Sequence, residues 1–243
     1  MVNDSVMTKY QKSVKEMLLK HSVYNLSLWR QVSFAIKHAG VELYPVGDGH
    51  DRNHIFRVMQ NVIRIQKEEG GDLKVLLLAA VLHDIHWHMG ESYVDPKDSM
   101  DQVSEILSGI KGVSIYQREL IMKAIKRHEI YYWHEIEKCT DALEVKILRD
   151  ADNLDAIGAI GCGRTFAFGA VRNIPEYDMS LPPNTKDYKY GVKEISTLHH
   201  IEHKLLRLGV VFHTDTARRM AESRMKFIRL FYKKYIEELR GER

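Results

Sequence analysis

Apolar positions in this chain recur every three or four residues, the spacing of helices that bury one face. Residues 8–20 and 24–39 carry it first, the second with Leu26, Trp29, Val32 or Ser33, Ile36 and Ala39 on one side and Gly40 as a stop. A loop with Pro45, Gly47 and Gly49, in which Asp48 is a candidate N-cap, leads into a helix opened by His50 and running to about Glu69. Its inner positions are Ile55, Val58, Val62 and Ile65, and Gly70-Gly71 ends it. Further helices are predicted up to Leu107 (capped by Asp98 or Ser99), over Ile115–His128 with Ile115 on the apolar side, within 144–170, over Thr197–Leu208 and over 214–240. The last sets Ala217, Ala221, Met225, Ile228, Tyr232, Tyr235 and Leu239 against an outer stripe of charged residues, which reads as a solvated face. No Gly-, Ser- or Pro-rich linker divides the chain. The expectation is an all-α fold, one helical bundle in which residues 1–44 pack on a core formed by 45–243.

One stretch breaks the amphipathic rule. Leu76 to Leu82 leave no polar face, so that helix is buried on all sides. It nevertheless ends in His83 and Asp84, followed by His86 and His88. An imidazole and a carboxylate at the end of a buried helix cost several kcal/mol, roughly, unless they pair or bind a metal. One nitrogen and one hard oxygen suit a divalent ion. His86 and His88 are spaced to share a face with these two residues, although beyond a helix end they read first as solvent-exposed. A second dense stretch, 150–161, puts Asp150, Asp152 and Asp155 among apolar residues, with Asp152 and Asp155 on one face beside Ile157 and Ile160. A divalent cation would relieve the repulsion of carboxylates buried together. Gly158, Gly161 and Gly163 do not follow GxGxxG and no strand precedes them, so they point to close helix packing rather than a dinucleotide loop.

Composition narrows the classes little. At 243 residues, the chain is long enough to fold without disulfides. Cys139 and Cys162 form no CxxC pair, a net charge of +3 is too small to mark a nucleic-acid surface, and the longest apolar run is too short to span a bilayer. The polar start carries no signal peptide, which makes a cytoplasmic location the expectation. The thirteen histidines cluster, which is more informative.

Three motifs then carry a resemblance. Residues 50–58 read His-Asp-Arg-Asn-His-Ile-Phe-Arg-Val, residues 82–85 read Leu-His-Asp-Ile, and residues 150–161 read Asp-Ala-Asp-Asn-Leu-Asp-Ala-Ile-Gly-Ala-Ile-Gly. Together they resemble the HD-domain superfamily of metal-dependent phosphohydrolases, over roughly residues 45–240. The resemblance implies a metal site in the core of the bundle, with His54, His83, Asp84 and Asp152 as ligands of a divalent ion (Mn, Mg, Fe, Ni or Zn). It makes Asp51 a candidate orienting group behind His54, and Asp155 a second one, able to accept a hydrogen bond from a ligand imidazole. Asp84, His128 and Asp155 are the implied catalytic group, His128 as a phosphate or second-metal contact. Arg57, Arg149, His200 and Lys204 are the implied substrate contacts, while Arg164 is explained equally well by a structural ion pair. Asn153 departs from the group, which frequently has Arg there.

The reaction implied is hydrolysis of a phosphoester or phosphoanhydride in a small phosphorylated molecule, by the resemblance a nucleotide, with no nucleic acid or membrane as partner. Two other classes stand beside it. A sensor module would keep the metal without turnover. A di-iron oxygenase would need further ligands, for which His86, His88 and His128 are the evident suppliers. The proline-bearing segment 172–193 is expected to be a loop covering the pocket.

Overall fold

A computed structural model describes residues 7–47, 49–89, 95–131, 139–178, 180 and 195–242. Among these the regular structure is helical and no strand occurs. The helices are α1 (Lys9–Lys20), α2 (Leu26–His38), α3 (Arg52–Glu69), α4 (Leu73–Leu82), α5 (Met100–Ser108), α6 (Ile115–Arg127), α7 (Leu143–Asp155), α8 (Gly158–Val171), α9 (Thr197–His203) and α10 (Asp215–Leu239). Helix α4 is the axis of the bundle. Its residues Val75 to Leu82 are all fully buried, and α2, α3, α6 and α7 pack around it. At roughly 1.5–3 kcal/mol for each large aliphatic side chain, that burial is what holds His83 and Asp84 in the interior.

The helix starts follow from side-chain caps. Asp51 is the N-cap of α3, its Oδ1 accepting from the amides of Asn53 and His54, so the helix begins at Arg52 and His50 precedes it. Asp48 lies outside the described residues. Ser99 is the N-cap residue of α5, as expected, but its hydroxyl turns to Pro96 O and makes no capping bond; a 3₁₀ turn, Pro96–Ser99, capped by Asp95, leads into the helix. Ser114 and Gln117 form a capping box on α6. Ile115, expected inside, is the first residue of that helix and is 77% exposed. Leu26 and Leu239, at helix ends, are likewise exposed.

The stretch 144–170 holds two helices, α7 and α8, bent by 75°. The bend is at Gly158, whose φ of +76° disfavours a side chain, and a Cβ there would come within 3.0 Å of Arg224 Cβ. Helix α10 packs on α8 across this point. Ile160, expected with the apolar side, is 48% exposed beyond the bend. Similarly, α9 stops at His203 and a 3₁₀ turn, Leu205–Val210, continues it. No single helix among the described residues is long and apolar enough to cross a membrane. Of the segment expected to cover the pocket, residues 179 and 181–193 lie outside the described residues.

Candidate metal centre and pocket

Three helices deliver the expected ligands to one point. His54 is the third residue of α3, His83 and Asp84 follow the last turn of α4, and Asp152 is on the inner face of α7. His54 Nε2 lies 3.1 Å from His83 Nε2, 3.1 Å from Asp84 Oδ2 and 3.4 Å from Asp152 Oδ1. His83 Nε2 is 3.3 Å from Asp84 Oδ1 and 4.0 Å from Asp152 Oδ1.

The outer nitrogens fix which atoms face inward. His83 Nδ1 donates to Ala80 O at 2.9 Å, and His54 Nδ1 donates to Asp155 Oδ2 at 2.7 Å. Each imidazole therefore turns the Nε2 lone pair toward two carboxylates. Four acceptors converging in a buried space require a proton or a cation between them, and their chemistry fits a divalent ion with nitrogen and oxygen ligands. Burial and the charge of Arg164 depress His54 basicity, but its hydrogen bonds to the carboxylates of Asp152, Asp155 and Asp84 outweigh them and raise its pKa to about 10. Burial lowers His83 to about 4, so it is the neutral imidazole that a metal requires. Asp84 and Asp152, although desolvated, are held well below the usual carboxylate range by the histidines around them.

Asp155 backs the centre. Besides the His54 bond it accepts from Arg57 Nε and Nη2 at 2.7 and 3.0 Å and from Arg164 Nη1 at 2.7 Å. Burial opposes ionisation, but the hydrogen bond from His54, and then the Arg164 charge and the Arg57 bond, hold the carboxyl strongly acidic. Asp155 bonds the His54 ring and is not among the residues lining the cavity described below. Asp51, the other orienting candidate, is spent on the α3 cap and does not reach the imidazole ring.

His128 is buried, with Nε2 3.9 Å from Asp84 Oδ1 and Nδ1 donating to Ile125 O. His86, expected to be exposed, is fully buried, with Nε2 3.5 Å from Glu129 Oε1. His86, His128 and Glu129 form a second group with metal-ligand spacing beside the first. His88 turns away, its ring stacked on Tyr44 and its Nε2 bonded to His50 O. His50 emerges as a member of the centre: its Nδ1 is 2.8 Å from Asp84 Oδ2, and its ring stacks on Trp87 at 4.1 Å.

A cavity of about 570 Å³ opens over Asp84 and Asp152. Lys126, Arg164, His200 and Lys204 line it, as do Trp87 and Phe168, with Arg172 placed 3.8 Å from the Phe168 ring. His200 and Lys204 are thus at the cavity. Arg57 is behind the centre on Asp155, and Arg149 is not brought to it. Arg149, at the middle of α7, is fully buried and bonded to Asp141, Arg127 O and His213. Lys126, Trp87 and Phe168 carried no motif in the sequence; the bend between α7 and α8 is what carries Phe168 to the cavity.

An all-helical bundle with two imidazoles and two carboxylates gathered in its core is the architecture of HD-domain proteins. The profile of the HD domain matches residues 52–157, and the chain belongs to that family. It is 31% identical over 198 residues to YpgQ of Bacillus subtilis (strain 168), spanning 79% of this chain and 86% of YpgQ. The crystal structure of YpgQ in complex with ADP superposes with a TM-score of 0.61 at 26% identity, covering 88% of this chain and 96% of that one. A Lactobacillus plantarum protein gives a TM-score of 0.73 at 25% identity, over 87% of this chain and 98% of that one. An HD-superfamily hydrolase from Bacillus thuringiensis gives 0.60 at 27% identity, over 88% and 96%. The chain has the fold of HD-superfamily hydrolases, and its His and Asp clusters have the composition and spacing to hold a divalent metal.

Proposed function

We propose that this protein is a divalent-metal-dependent phosphohydrolase acting on nucleotides. The observation that carries the reading is the convergence of His54, His83, Asp84 and Asp152 on the floor of a cavity lined by Lys126, Arg164 and Lys204. Its volume of about 570 Å³ is in the range of small-molecule sites. When bound, a divalent ion supplies a Lewis acid that polarises a phosphoryl oxygen and makes water more acidic.

The residues do the remaining work. His83 offers a neutral nitrogen, Asp155 keeps the His54 ring turned so that Nε2 faces the ion, and His50 holds one Asp84 oxygen. The lysines and Arg164 supply cations toward a phosphate, whose developing charge they would stabilise. Trp87 and Phe168 offer flat apolar surface for a base. The ADP complex of YpgQ supports a nucleotide as the occupant.

The test incubates metal-loaded protein with nucleoside mono- and triphosphates and cyclic nucleotides and measures phosphate, pyrophosphate and nucleoside. Release that is abolished by chelation and absent from Asp152→Ala is expected. Tight nucleotide binding with no release above that control would convert the reading to a sensor.

A further inference from the structure

Beside the His54 centre, two more imidazoles and a carboxylate close on one another, and none of them belongs to the three sequence motifs. His86 lies in a 3₁₀ turn, Ile85–His88, just after α4, while His128 is the C-cap of α6 and Glu129 follows it. His86 Nδ1 donates to His83 O at 3.0 Å, and His128 Nδ1 donates to Ile125 O at 2.6 Å. Each neutral ring therefore presents Nε2 as an acceptor, the form a metal ligand needs. Both nitrogens meet the same carboxylate: Glu129 Oε1 is 3.5 Å from His86 Nε2 and 3.9 Å from His128 Nε2. Asp84 Oδ1 is also 3.9 Å from His128 Nε2. Acceptors that face acceptors need a proton or a cation between them. A proton would draw its two heavy atoms to about 2.7–3.2 Å. The observed gaps are wider, and match ligands that surround one ion on bonds of about 2.1 Å.

We propose that His86, His128 and Glu129 bind a second divalent cation, of the zinc class, with Asp84 Oδ1 turned to it as a shared ligand. Two imidazoles and a glutamate are a donor set that suits zinc. The other Asp84 oxygen, Oδ2, faces His54, so one carboxylate ties the two sites together. Both histidines are buried, but the Glu129 side chain is 27% exposed and lines the cavity, which gives the ion its way in. Once bound, it places a charge at the end of α6 that also carries Lys126. The inference goes beyond the phosphohydrolase reading and does not depend on it, because metal alone reads it.

Metal-stripped wild type is dialysed against increasing zinc and the bound metal is counted, beside Glu129→Gln and His86→Gln. Wild type is expected to hold two ions per chain at saturation. Glutamine at 129 keeps the shape of a partly exposed side chain and removes its charge. That variant should keep one ion and bind the other more than about 100-fold more weakly, since a direct ligand matters more than a group behind one, whose loss costs 10–100-fold. His86→Gln should lose the same ion. Wild type that saturates at one ion would overturn the proposal in favour of a protonated His86 paired with Glu129. That result needs no variant, so a substitution that fails to fold does not decide the question. A second ion that persists at wild-type affinity in Glu129→Gln or His86→Gln also overturns it, since such an ion is held elsewhere. Neither result bears on phosphate release by the His54 centre, which the Asp152→Ala comparison tests separately.

Discussion

Replacing Asp155 by asparagine isolates the role of the group behind the metal centre. In the native protein its carboxylate takes one N–H from His54, two from Arg57 and one from Arg164. Asparagine keeps the shape but has one acceptor oxygen, and its amide nitrogen would meet donors. Breaking a buried ion pair by removing one partner costs about 3–5 kcal/mol. Here the Arg57 and Arg164 side chains are 27% and 16% exposed and can recover some hydration, so a loss at or just below the bottom of that range, about 2–3 kcal/mol of stability, is expected. Metal affinity should fall separately, by roughly 10–100-fold, because the His54 ring loses the bond that fixes its tautomer and direction. Calorimetric titration with manganese measures the second effect, and denaturant unfolding of metal-free protein the first. Asp141→Asn is the control. Asp141 is a buried carboxylate bonded to Arg127 and Arg149, away from the metal centre, and its replacement should cost stability without changing manganese affinity. Equal manganese affinities for Asp155→Asn and wild type would refute the positioning argument, and a parallel loss in Asp141→Asn would show that destabilisation alone explains the effect.

Other outcomes follow from the same geometry. Asp84→Ala should abolish bound metal and activity together, read by metal analysis of the purified variant, since Asp84 contacts both histidines and His50. Without metal, His54 has a pKa of about 10 against an ordinary value of 6.5, so near pH 7.5 it is protonated and must lose that proton to ligate. Manganese binding at that pH should release about one proton, seen as a dependence of calorimetric heat on buffer ionisation enthalpy, and affinity should rise about tenfold per pH unit up to about 10. The sign for stability is opposite. A raised folded-state pKa stabilises metal-free protein fully below pH 6.5, and that contribution fades as pH rises toward 10, so metal-free unfolding free energy should fall across this window. Gly161→Ala would drive a Cβ into the carbonyl of Ala156 and should cost about 1–3 kcal/mol in denaturant unfolding, whereas Gly163→Ala, with open space at Cβ, should stabilise α8 by up to about 1 kcal/mol.

The parts legible in the sequence were those where local chemistry contradicts its surroundings. His83 and Asp84 stood out because a helix with no polar face ends in them, and the motifs around His54 and Asp152 named the two elements that meet it. Asp155 was also legible, being one turn beyond Asp152 on the same face. The bend that separates α7 from α8 was not, because apolar spacing runs through it without a gap. Gly158 marked it only by a backbone angle that sequence does not display. One gap follows from that omission: the aromatic wall carried by α8 went unseen.

Arg149 shows a different limit. A cation three residues before a metal-binding aspartate invites a phosphate role, and its spacing permits one. What decides against it is a buried carboxylate, Asp141, eight residues upstream in sequence, which pairs with its guanidinium at 3.0 Å. Arg164 has the complementary history. It reads as a structural ion pair, and it does pair with Asp155, yet the same side chain also lines the cavity. Structural and functional roles are therefore not alternatives for a five-donor side chain. A planar guanidinium anchored on one edge by a carboxylate is a rigid donor on the other, and only its partners in space tell which edge faces the substrate.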